Sequence, residues 1–215
     1  MHDIRYPNES AQYRAARDEL LQAEADLRRS IASVAAHRAA LPPGGLAPEY
    51  RFQTSAGVRS LADCFGARDT LLVYSFMYGE DDQTPCPMCS AFLDSLRGHL
   101  RHIEQRMSVL IVARSPLERL LELAKARGWS DLAWASCAGN DYPRDYHSEM
   151  PNGAQVPMCN VFSHQDGEVR HFWASELFYV PSDQHPRHMD MLWPLWHFFD
   201  LAPAGRGEFM PSLDY

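Results

Sequence analysis

The sequence predicts an α/β domain, a mixed sheet with flanking helices, preceded by an N-terminal helical extension. Three observations carry this. Between Thr70 and Ser136, short apolar strand-like runs alternate with amphipathic helical stretches, the pattern of βαβ units. Two further strand-like runs flank Gln165-Asp166-Gly167 near the end of the chain, the mark of a hairpin. Between the first βαβ strand and its helix stand Cys86-Pro87-Met88-Cys89.

The elements follow in order. From about Asn8 to Ala40 the residues Tyr13, Ala16, Leu20, Ala23, Leu27, Ile31 and Val34 recur at three- and four-residue steps, which predicts one long helix. Pro42-Pro43-Gly44-Gly45 stops it, so residues 1–45 form the extension and residues 46–215 the main domain. The helix is expected to pack on the domain or to serve as a homo-oligomer interface. Tyr50–Thr54 and Val58–Leu61 around Ala56-Gly57 predict a hairpin, and Ser60–Phe65 a short helical turn. Thr70–Met77 is the main strand. Ser90–Arg106 is a helix with Phe92, Leu93, Leu96, Leu100 and Ile103 on one face. Val109–Ala113 is continuously apolar, as a strand buried on both faces requires.

Ser115-Pro116-Leu117-Glu118 predicts a helix start in which Ser115 caps, Pro116 takes the first helical position and Glu118 completes a capping box. That helix stops at Gly128. Leu132–Ser136 is a short strand, and the polar segment Asn140–Gly153 is expected to be a long surface loop. Met158–Phe162 and Val169–Trp173 form the late hairpin. Met189 to Leu201 is the last helix, with Pro194 marking its first turn or a kink.

Composition narrows the function. The 215 residues are 46% hydrophobic, enough for one well-cored domain. The net charge of -8 gives no support for a nucleic-acid partner. No apolar run approaches the ~20 residues of a membrane span, and Met1–Pro7 lacks a signal-peptide core. A cytoplasmic location without membrane partners is expected. Five cysteines at uneven spacing argue against a secreted disulfide scaffold.

A strand, a loop and Cys-x-x-Cys opening a helix is the arrangement that dithiol–disulfide exchange requires. At a helix start, Cys86 faces unpaired N–H groups and the positive end of the helix dipole, which favour the nucleophilic thiolate. Cys89, one turn inside, is placed to resolve an adduct. Pro87 fixes φ in the first turn and has no N–H to leave unpaired. Glu80, Asp81 and Asp82 lie just upstream, where negative charge would oppose the thiolate.

The Cys-x-x-Cys after a βαβ strand, with a closing ββα, resembles the thioredoxin fold. That resemblance implies a cis peptide at Val156–Pro157, before the late hairpin and beside the cysteines, with Val156 offering main-chain groups to an extended substrate. It also implies that Pro87, Met88, Val156 and Pro157 border the substrate. The order Cys-Pro-x-Cys departs from thioredoxin, where proline is second of the intervening pair. The chain is more closely similar to a bacterial family of predicted dithiol–disulfide oxidoreductases, DUF899. This similarity rests on Cys86–Ser90, Ala113–Glu118, Arg127-Gly128-Trp129 and the tail Asp200–Arg206, and covers nearly the whole chain. It implies redox exchange with a protein or small-molecule disulfide or thiol, and no cofactor.

Two other readings stay open. Thr84-Pro85-Cys86 half resembles the threonine–proline–valine–cysteine pattern of a peroxiredoxin-like peroxidase, without the valine. The cysteines can also serve a non-enzymatic scaffold, as metal ligands or inert thiols. A structural zinc, however, usually needs two close pairs, and Cys64, Cys137 and Cys159 are single. These three are expected to be core residues. His99 with His102, and His185 with His188, are spaced to share a helix face but lack completing ligands, and no metal site is expected. Trp129, Trp134, Trp193, Trp196 and Phe199 are expected in the core.

Overall fold

The computed structural model describes residues 4–181 and 189–214, so His185 and His188 lie outside the described residues. The chain divides into two units, Met1–Pro42 and Pro43–Tyr215. In the first, helix α1 spans Ala11–Ala39. Ser10 caps it by accepting a hydrogen bond from the Tyr13 N–H at 3.1 Å. Arg14 is buried between Glu9 and Asp18, at 3.4 and 3.0 Å.

In the second unit the strands are β1 (Arg51–Thr54), β2 (Gly57–Ser60), β3 (Thr70–Ser75), β4 (Ser108–Ala113), β5 (Trp134–Ser136), β6 (Met158–Gln165) and β7 (Glu168–Ala174). The helices are α2 (Pro87–Ile103), α3 (Leu117–Arg127), α4 (Tyr142–Asp145) and α5 (Pro194–Asp200). The seven strands build one sheet, ordered β2-β1-β5-β4-β3-β6-β7. The strands β3, β4 and β5 run parallel. β6 lies antiparallel to β3, and β7 to β6. A βαβ unit joined to a ββα unit across a central β3 is the thioredoxin-like fold. The opening hairpin extends the sheet by pairing β1 antiparallel to β5.

Alternation along β3 and β4 divides the core between the two sheet faces. Tyr74 and Ile111 pack with Phe92, Leu93 and Leu96 of α2 and with Trp129, Trp134, Trp193 and Trp196. Leu71, Val73, Leu110 and Val112 pack on the other side with Phe52, Phe65 and Phe162. Of the expected aromatic core residues, Trp129, Trp134, Trp193 and Trp196 are buried, whereas Phe199 is only partly buried against the same cluster. Among the described residues no helix is long and apolar enough to cross a membrane.

Three expectations are corrected. Ser115 does not cap α3, whose N-cap is Pro116 with no side-chain capping bond. Ser115 is fully buried, and its Oγ donates to the Gly79 carbonyl at 2.8 Å. The polar segment 140–153 is not all surface loop. Tyr142 of α4 is completely buried and meets the rings of Tyr50 and Phe52 edge-on, at 5.4 and 5.5 Å. The last helix begins at Pro194, which occupies its first turn, so Met189 and Trp193 precede it, both buried.

Candidate functional site

The central strand β3 delivers the chain to the site. A ten-residue connection would be floppy without anchors, and this one, from Phe76 to Pro85, is heavily anchored. Ser115 and Arg119 both donate to the Gly79 carbonyl, Arg119 at 3.2 Å. Arg119 also donates to the Glu80 carbonyl at 2.8 Å and to that of Asp82. Its guanidinium lies 4.2 Å from the Tyr78 ring centroid, a cation–π contact. The Asp82 carboxylate accepts from the Gly79 N–H at 2.6 Å and from Gln155 Nε2 at 2.8 Å. A Cβ at position 79 would stand 2.8 Å from Gln155 Nε2 and 3.1 Å from Asp82 Oδ2, so a larger residue there would push these two side chains aside.

The loop ends at Cys86, the N-cap of α2, held extended at φ -62° and ψ 123°. Its N–H donates to the Met77 carbonyl at 3.1 Å. Its own carbonyl accepts from both the N–H and the Oγ of Ser90, each at 3.0 Å. Pro87 is the first helical residue, as its fixed φ suits. Cys86 is half-buried and Cys89 buried, and both are free thiols.

The two sulfurs are electrostatically unequal. The Cys89 thiol donates toward Cys86 Sγ, the largest influence lowering its pKa; burial opposes it, and the N–H groups of Cys89 and Met88 add to it, bringing Cys86 down to about 6. No capping bond of normal geometry closes on the sulfur, so these N–H groups act as nearby dipoles. Burial pushes Cys89 well above its ordinary value, and the adjacent Cys86 raises it further. The Tyr74 hydroxyl and the Met77 N–H partly offset this. Of the upstream acids, Glu80 and Asp81 are exposed, where solvent screens their charge, and Asp82 is held by Gly79 and Gln155.

Above the thiols lies a cavity of about 230 Å³. It is lined by Cys86, Met88, Cys89, Val156 and Pro157, all legible in the sequence, and by Tyr74, Met77, Phe92, Gln155, Phe178, Met189 and Trp193, which were not. Pro87 is not part of the lining. Gln155 had one sequence signal, its place beside Val156–Pro157. The aromatic residues look like ordinary core until the fold is built.

The remaining thiols lie outside this cavity. Cys159 is fully buried opposite Tyr74 in the β3–β6 register, and burial pushes its thiol up to about 12. Burial likewise raises Cys137 to about 12 and half-buried Cys64 to about 11. His99 and His102 are exposed. No group of three or more His, Cys, Asp or Glu residues able to hold a metal occurs among the described residues. A larger cavity, about 830 Å³, opens beside Tyr146, His171 and Tyr179 and contains no thiol.

Comparison with known proteins adds the following. The family described as "Bacterial protein of unknown function (DUF899)" matches residues 4–214. No curated protein matches the chain. Among solved structures, a PrxQ mutant from Xylella fastidiosa is 14% identical with a TM-score of 0.47, over 62% of this chain and 84% of that one. A hypothetical protein from Sinorhizobium meliloti 1021 is 17% identical with a TM-score of 0.46, over 75% and 83%. A putative thiol:disulfide interchange protein DsbE from Chlorobium tepidum is 18% identical with a TM-score of 0.40, over 61% and 86%.

Proposed function

The chain belongs to the DUF899 family, and from that footing we propose that it is a thiol–disulfide oxidoreductase in which Cys86 attacks and Cys89 resolves. The observation that carries this reading is the asymmetry of the pair. Cys86 is half-buried at a cavity, with its pKa drawn down to about 6, so it is largely thiolate at neutral pH. Cys89 is sealed beneath it and stays protonated. One thiol is ready to attack, and the other becomes a nucleophile only after the first is consumed.

The steps follow from that order. The Cys86 thiolate attacks a substrate disulfide, and one substrate sulfur leaves as thiolate. Mixed-disulfide formation removes the charge on Cys86, one of the groups raising the Cys89 pKa. Cys89 then loses its proton, attacks Cys86 Sγ and expels the second substrate sulfur. Val156 and Pro157 line the same cavity as the thiols, and on this reading they form part of the docking site. Met88 borders it from the helix. Pro87 acts by setting the first turn of α2.

The test is an alkylation race at neutral pH with a mass-based thiol count. Cys86 should be modified first, and Cys89→Ser should accumulate mixed disulfides that Cys86→Ser does not form. Equal reactivity of the two thiols, with no trapped adducts, would refute the reading.

A further inference from the structure

We propose that the cavity beside Cys86 receives the apolar organic group of a small disulfide, so that Cys86 exchanges preferentially with sulfurs bearing aryl or alkyl substituents. This rests on the reading of Cys86 as the attacking thiol and adds the substrate class.

The lining supports it. Phe92, Phe178 and Trp193 supply ring faces, and Met88 and Met189 supply thioethers that adapt to an irregular apolar guest. Few polar side chains line it, and their donors are engaged or sealed away. The Gln155 amide donates to Asp82 at 2.8 Å. The Tyr74 hydroxyl lies against the Cys89 sulfur. The Trp193 indole N–H is sealed from solvent without a partner, so this residue offers the cavity its ring alone. A hydrophilic substituent entering here would lose water and find little to replace it beyond the Gln155 carbonyl, whereas an apolar one gains by the transfer. At interior packing density about 230 Å³ holds on the order of ten non-hydrogen atoms. That accommodates a benzylthio or short alkylthio group.

The chemistry balances with an external dithiol. The Cys86 thiolate attacks R–S–S–R, breaking the sulfur–sulfur bond and releasing one R–S⁻, while the other R–S group stays on Cys86 with R in the cavity. Cys89 gives its proton to solvent, attacks Cys86 Sγ and releases the second R–S⁻. The substrate gains two electrons and the protein retains a Cys86–Cys89 disulfide. A dithiol reductant restores the free pair.

The experiment uses the reduced full chain in single turnover with dibenzyl disulfide and with hydroxyethyl disulfide. Each rate is divided by that of free dithiothreitol on the same disulfide. The normalised rate should be at least about tenfold higher for the dibenzyl compound, and Phe178→Glu should bring the ratio towards one. Cys86→Ser should bind benzyl methyl sulfide, read by tryptophan fluorescence. Equal normalised rates, a ratio unmoved by Phe178→Glu, or a polar peptide disulfide outpacing the dibenzyl compound would each overturn the proposal while leaving exchange at Cys86 standing. Absence of reaction with every disulfide would instead refute the exchange reading.

Discussion

Asp82 accepts a hydrogen bond from Gln155 at 2.8 Å, joining the loop that ends at Cys86 to the residue that precedes Val156–Pro157. The same carboxylate oxygen accepts from the Gly79 N–H. Two chain segments 73 positions apart are thereby locked together at the site.

Replacing Asp82 with alanine should therefore loosen both walls. We expect a stability loss of about 1–3 kcal/mol, the usual cost of breaking a charge-assisted bond and leaving its donors unpaired. The Cys86 alkylation rate should change in the same variant. Asp82 titrates below its ordinary value, the Gly79 N–H being the largest cause and the Gln155 amide the next. Its contribution is thus present above the unfolded carboxylate pKa and is lost as pH falls through the lower folded value. Thermal unfolding of wild type and Asp82→Ala should converge at acid pH. A constant difference across the range would assign the effect to packing.

The Cys86 titration depends first on the Cys89 thiol. In the wild type, the alkylation rate of Cys86 should rise with pH and reach half its plateau at about 6. In Cys89→Ala the midpoint should move up towards the ordinary cysteine value, because the largest lowering influence is gone. Cys89→Ser keeps a hydroxyl donor and should fall between the two. An unmoved midpoint in Cys89→Ala would transfer the effect to the helix start alone.

The Tyr74 hydroxyl bears on the second half of the cycle. It favours the Cys89 thiolate, which burial disfavours. Tyr74→Phe should leave the attack of Cys86 unchanged and slow release of the mixed disulfide by about tenfold, equivalent to one hydrogen bond. Stopped-flow measurement of attack and release separately checks this. Slowing of both steps alike would mean that the ring, not the hydroxyl, matters.

The elements read most easily from the sequence are those whose residues face a local constraint. Asp166-Gly167 takes φ of 53° and 80°, and few other residue pairs tolerate that tight turn. Gly128 ends α3 at φ 72° for the same reason. Ser115 was misread because a distant partner, Gly79, competes with the local cap and wins by burial. The segment that holds Tyr142 was misread as surface loop because neighbouring polarity says nothing about which aromatic a remote core takes in. At the site, Cys86, Met88 and Cys89 were legible through thiol spacing, and Val156 and Pro157 through the resemblance to the thioredoxin fold. Phe178, Met189 and Trp193 were not, because β3 and α2 must first be assembled beside the chain that follows β7. An apolar wall residue and a core residue carry the same pattern until then.

Arg119 grips the thiol loop by the carbonyls of Gly79, Glu80 and Asp82, groups that every amino acid possesses. The anchoring is therefore indifferent to the exposed side chains Glu80, Asp81 and Gln83. These three positions can be rewritten, in charge or in size, without disturbing the backbone that aims Cys86. The loop thus separates a fixed nucleophile from a rewritable exposed surface, and it is the natural place to graft recognition of a different partner.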